Sequence, residues 1–173
     1  MTTVKFGSAQ TIQIWDPTKA LARNIRVSAQ GTASGATFVI AGYDLYNYPL
    51  SETITGPVGT GSAYALTEGV KAFKYVASVT SNGTATATGI AIGFGDTIGF
   101  PLRADRFTEL RVAVGNTAII ASTGFTAGVT TAATSTSGDV RGTYGLQTSS
   151  NGVLRLSVYQ SPQASNCSTV AGL

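Results

Sequence analysis

Residues 37–55 constrain the fold of this chain more than any other stretch. They read TFVIAGYDLYNYPLSETIT, two short runs around a tight turn. Phe38 and Ile40 alternate in the first run, and Leu50 and Ile54 in the second. Alternation at period two places such residues on one face of a strand. Asp44 opens the turn because its carboxylate hydrogen-bonds nearby backbone, and Asn47 tolerates positive φ. Pro49 removes a donor at the first residue of the return strand, where a sheet tolerates the loss. The stretch is predicted to be a β-hairpin, with further strands laid beside and over it.

One residue interrupts the apolar face. Glu52 stands between Leu50 and Ile54. A buried carboxylate needs a partner, or its pKa rises. The expected partner is an arginine, Arg26 or Arg111, unless the residue is exposed at a sheet edge. The functional alternative is a proton-handling role.

The flanking sequence repeats the pattern. Residues 11–15 (TIQIW), 22–29, 71–80, 85–94, 107–114, 117–122 and 153–159 read as strands, with a short one at 63–66. Turn signals separate them: Asp16-Pro17 with one helical turn over 16–21, Thr67-Glu68-Gly69, Ser81-Asn82-Gly83, Gly115-Asn116 and Asn151-Gly152. The small-residue tract 123–138 reads as a long surface loop or a flat segment against another chain. Almost no helix is expected. About eight to ten antiparallel strands at short spacing predict an all-β, single-domain β-sandwich or jelly roll over residues 11–160. Residues 1–10 read as an arm and 161–173 as a tail.

Composition narrows the chemistry. Charged residues make up 11% of the chain, against about a quarter in ordinary globular domains. Thr, Ser, Gly and Ala stand in their place, which predicts surface meant for other protein and a chain that self-associates. The net charge of +3 comes from scattered residues, so no nucleic-acid patch is expected. The absence of histidine removes the commonest general base and metal ligand. No motif pairs two of the eight acids as a glycosidase would require. The Gly-rich segments 56–61 and 93–96 lack the ending of a phosphate-binding loop. Cys167, the single cysteine, reads as an inert thiol in the tail. No enzyme activity, cofactor or metal is expected. No apolar run reaches membrane-span length, and residues 1–15 lack a basic stretch followed by an apolar one. A protein kept in a cytosol, or carried out of it in an assembly, is expected.

Two surface groups stand out as candidate interface residues. Tyr43, Tyr46 and Tyr48 cluster at the hairpin tip, where exposed aromatics dock into partners or bind sugars, or simply cap the sandwich. Arg103, Asp105 and Arg106, with Glu109 and Arg111, form the densest charge in the chain. Their mixed signs predict a salt-bridge network, within the subunit or across an interface.

Three segments carry a family resemblance. Asp44-Leu45-Tyr46-Asn47-Tyr48-Pro49-Leu50-Ser51-Glu52-Thr53-Ile54 resembles a hairpin of many tailed-phage virion structural proteins. Its form there is Asp, two residues, Gly, a residue, Pro, an aliphatic, then Glu-Thr-Ile, with Asn47 here in place of the Gly. Gly138-Asp139-Val140-Arg141-Gly142-Thr143-Tyr144 and Lys71-Ala72-Phe73-Lys74 are similar to further parts of those proteins, so the resemblance spans roughly residues 20–160. In these respects the chain resembles the jelly-roll cement, or decoration, proteins of short-tailed bacteriophages. That resemblance implies a homo-oligomer, with a dimer favoured, made in the bacterial cytoplasm. It implies binding to the major capsid protein on the outside of the virion, without catalytic residues. A tail, vertex or receptor-binding component is the alternative, and a carbohydrate-active enzyme the lesser one.

Overall fold

The computed structural model describes residues 2–3, 21–101, 107–114, 117–120, 124–129, 139, 141–146 and 156–162. In chain order the strands are β1 (Thr2–Thr3), β2 (Arg23–Gln30), β3 (Ala36–Tyr43), β4 (Pro49–Thr55), β5 (Tyr64–Phe73) and β6 (Tyr75–Gly83). They continue as β7 (Thr88–Gly99), β8 (Phe107–Val114), β9 (Thr117–Ile120), β10 (Phe125–Thr126), β11 (Thr143–Gly145) and β12 (Leu156–Pro162). The described residues form no helix, and the architecture is an all-β sandwich. One sheet has the order β1-β6-β3-β4, the second β10-β11-β7-β2-β5, and a third β12-β8-β9. Every pairing is antiparallel.

The hairpin forms as its alternation demands. β3 and β4 pair from Thr37↔Thr55 to Tyr43↔Pro49. Phe38, Ile40, Leu50 and Ile54 are all buried. They meet Ile25 and Val27 of β2, Phe73 of β5 and Val76 of β6, with Ile90, Ile92 and Phe94 of β7 packed alongside. The core is thus the interior between the four-stranded and five-stranded sheets, each contributing one face.

Several expectations are corrected. The turn expected at 67–69 does not exist, because β5 runs through it. The chain changes sheet at Lys74, the single residue between β5 and β6. That corner reverses the inward phase: Phe73 and Val76 are buried, whereas Tyr75 is 39% exposed. Ala77 is the extra residue of a bulge, since Gly42 faces Val76 and Ala41 faces Ser78. The bulge returns Val79 to the core side. A side chain at Gly42 would run into the Tyr75 carbonyl oxygen, so glycine is required there. Ser81-Asn82-Gly83 is not a hairpin turn either. Gly83 alone of the three has positive φ, at 90°, and the strands it separates lie in different sheets. Part of the tract 123–138 forms β10, which pairs with β11. The strand expected at 11–15 and the helical turn at 16–21 fall outside the described residues, apart from Leu21.

Strict alternation along 22–29 would place Asn24 outward, beside Arg26 and Ser28. It is instead fully buried. The cause is a break in register, where Asn24 pairs with Ala72 and Arg26 with Glu68. Ile25 therefore faces a three-residue bulge of β5, Gly69 to Lys71. The Asn24 amide replaces the missing ladder. Its Nδ2 donates to the Gly69 carbonyl at 2.9 Å and to Glu68 Oε2 at 2.9 Å. Its Oδ1 accepts from the Thr97 amide at 3.0 Å. Asn24→Ala strands those groups, so urea unfolding is expected to show a loss of about 2 kcal/mol.

Candidate functional site

The hairpin tip is built by one carboxylate. Asp44 Oδ1 accepts from the amides of Tyr46 at 2.7 Å and Tyr48 at 2.9 Å. The Asp44 carbonyl accepts from the Asn47 amide at 3.2 Å, and Asn47 takes φ 64° to close the turn. The second carboxylate oxygen pairs with the Arg141 guanidinium, which lies 4.7 Å over the Tyr46 ring. The Tyr46 hydroxyl donates to the Pro101 carbonyl at 2.6 Å. The tip of one sheet is therefore fastened to the end of the other.

Arg141 is itself positioned by Asp139. Asp139 Oδ1 accepts from the Arg141 amide at 2.9 Å, and Oδ2 accepts from the Ala72 amide of β5 at 2.9 Å. Asp139 is only 5% exposed. Beside it lie Glu52 and Lys71, both buried.

Glu52 corrects the arginine expectation. Arg26 pairs instead with Glu68 and with Asp96, and the side chain of Arg111 lies outside the described residues. Glu52 reaches from edge strand β4 to edge strand β5. Its Oε1 accepts from the Val70 amide at 2.6 Å, and its Oε2 from the Lys71 amide at 3.3 Å. These amides belong to the bulge that left the β5 ladder. Lys71 Nζ returns the link by donating to the Ser51 carbonyl at 2.9 Å. Burial raises the Glu52 pKa, against the lowering effect of the two amides and Lys71. Burial lowers that of Lys71, against the opposing pull of Glu52 and Asp139. The three segments that carry the resemblance, 44–54, 71–74 and 138–144, thus meet in one polar tie between the sheets. Among the described residues no buried side-chain nitrogen or oxygen lacks a partner. The tie's polar atoms are consumed in structure.

The outer faces of the two sheets differ sharply in charge. Cross-strand pairing on the four-stranded sheet sets out rows of three: Thr55-Thr37-Asn82, Thr53-Val39-Thr80, Ser51-Ala41-Ser78 and Pro49-Tyr43-Tyr75. None of these residues is charged. Tyr43 and Tyr75 stack with centroids 6.0 Å apart at one end. A depression of ≈ 300 Å³ opens beside them, lined by Ala41, Tyr43, Pro49 and Ala77 among others. The five-stranded sheet carries the ion pairs instead. Arg23 Nη2 lies 2.9 Å from Asp96 Oδ1, and Arg26 bridges Glu68 and Asp96.

The candidate residues of the sequence fare unequally. Tyr43 joins the neutral face, and Tyr46 is half-exposed but held by Arg141 and Pro101. Tyr48 is 67% exposed at the tip. Arg103, Asp105 and Arg106 lie outside the described residues. Arg111 lies in β8, opposite Tyr159 of β12 and Ile120 of β9. Sequence reasoning missed the neutral face, although its signal was present as Thr, Ser and Ala at the outward positions of 37–55. Among the described residues no group of three or more His, Cys, Asp or Glu is placed to hold a metal ion, and no helix is long and apolar enough to cross a membrane. Comparisons with protein-family models, curated proteins and solved structures find no match for this chain.

Proposed function

We propose that this chain is a structural virion protein that binds the outside of a bacteriophage capsid and cements neighbouring major capsid subunits. The reading rests first on the resemblance of segments 44–54, 71–74 and 138–144 to virion proteins. The observation that supports it is the neutral face of the four-stranded sheet. Its outward grid offers small side chains, hydroxyls and two stacked tyrosines, but no charge. Such a face loses little desolvation energy when it meets another protein. A rigid sandwich with a low-charge surface suits a cementing role, which needs binding and no turnover. Binding that favours the expanded shell over its precursor stabilises the expanded form by linkage. Even about 2 kcal/mol per bridge becomes decisive when many copies act on one shell.

Particles lacking the protein, heated beside complete ones, test the proposal. They are expected to assemble and to release DNA at a lower temperature. Equal release from both would remove the cementing role. Copy number per particle checks placement: hundreds fit the shell, whereas a few dozen or fewer would move the chain to a tail or vertex.

A further inference from the structure

We infer that the outer face of β2, β5 and β7 binds a neutral oligosaccharide, with Tyr64 as its stacking platform. Tyr64 opens β5 and is 68% exposed. It nevertheless reaches across β2 to β7. A Cβ at Gly89 would lie 3.4 Å from the Tyr64 hydroxyl oxygen and 3.8 Å from its Cε1. β5 and β7 flank β2, about 10 Å apart, so the ring must lie nearly flat to get there. Gly89, with φ 60° and no side chain, clears the space. One face of the ring therefore rests over the sheet and the other is open to solvent. The negative face of an aromatic ring attracts the C–H groups along one side of a sugar.

Hydrogen-bonding capacity continues from the platform along β2. Gln30, Ser28 and Arg26 occupy alternate positions over about 13 Å, opposite Tyr64, Leu66 and Glu68 of β5. Each is held by bonds to the protein and keeps capacity for another. Gln30 Nε2 donates to the Ser62 carbonyl at 2.8 Å, which leaves Oε1 to accept. The Ser28 hydroxyl donates to the Ala91 carbonyl at 3.4 Å and retains its lone pairs. Arg26 commits Nε and Nη2 to Glu68 and Asp96, and its Nη1 takes no partner among the described residues. Ala91 and Gly93 of β7 form a low floor beside this row. A Cβ at Gly93 would meet nothing within 4 Å.

Charge selects the ligand. Arg23 and Arg26 are balanced by Glu68 and Asp96, so a phosphate or sulfate finds no net positive field. A protein covering the face would strip water from these partly exposed charges, a cost that ion pairing repays poorly. A narrow chain of hydroxyl groups donates and accepts along the row and leaves the ion pairs wet. The isolated chain carries the whole site, so binding stands or falls apart from the capsid proposal. Only its role on a particle rests on that reading: with β3, β4 and β6 against a shell, this opposite sheet faces the medium and any cell-surface polysaccharide there.

The full chain is tested on an array of neutral glucose, galactose, mannose and rhamnose oligosaccharides, beside sialylated and sulfated ones. Binding is expected among the neutral probes. Calorimetric titration with the strongest of them is expected to show about tenfold weaker binding in Tyr64→Ala and little change in Tyr64→Phe. Gln30→Ala is expected to weaken binding about threefold. Both side chains lie on the outer face, and circular dichroism confirms that each variant is folded. Silence across the neutral probes, preference for acidic ones, equal binding by Tyr64→Ala, or loss through Tyr48→Ala at the hairpin tip instead would overturn the inference.

Discussion

Glu52→Ala is expected to destabilise the protein by about 3 kcal/mol in urea unfolding, because it breaks the tie between β4 and β5 at its centre. The substitution leaves the Val70 and Lys71 amides without this acceptor and removes the larger of the two carboxylate effects, Glu52 and Asp139, that hold the charge on Lys71. The pH dependence follows from the raised pKa of Glu52. The folded chain holds this proton more tightly than the unfolded chain does. Between the ordinary value of 4.5 and the raised one, folding therefore takes up a proton. The stabilising contribution is fully present below 4.5 and is lost as pH rises through the raised value. Glu52→Gln keeps the shape without the titration, so its unfolding curves are expected to lose that slope. Lys71 and Asp139 remain as the charges facing the position. An unchanged slope in Glu52→Gln would place the proton elsewhere.

Arg141→Ala is the second large effect. It removes the cation from Asp44, whose side chain is only 6% exposed, and lifts the guanidinium from the Tyr46 ring. Breaking a mostly buried pair from one side costs about 3 kcal/mol. For a chain of this size that lowers the melting temperature by roughly 10 °C, readable by calorimetry. Arg141→Lys is expected to restore only part of the loss, since an ammonium cannot reproduce the planar contact. The double variant Asp44→Ala/Arg141→Ala is expected to fall well short of the sum of the singles. Additive losses would mean that the two residues act separately.

The hairpin was legible because every local signal in 37–55 agreed: alternation, an Asp turn, a positive-φ Asn and a strand-opening Pro. The tie was legible in its parts but not in its joins. Arg141 lies 97 residues from Asp44, and Asp139 lies 67 from Ala72. No periodicity connects positions so far apart. Glu52 was seen to need a partner, but backbone amides freed by a bulge leave no mark in side-chain identity. The phase reversal at Lys74 was hidden for a similar reason. Phe73, Tyr75, Ala77 and Val79 alternate without a gap, and only the sheet crossing and the Ala77 bulge turn Tyr75 outward. The neutral face was anticipated as a shortage of charge in the whole chain; its confinement to one sheet required the register.

The 97-residue reach of the Asp44–Arg141 pair also sets a clock on the ribosome. At about 5–20 residues per second, the hairpin emerges roughly 5–20 s before the arginine that fastens its tip. During that interval β6 emerges and pairs with β3, but β11 cannot yet join β7 and Asp44 waits for its cation. Nascent chains thus display the neutral face before they are locked. In a polysome, neighbouring half-made copies meet at high local concentration while still pliable.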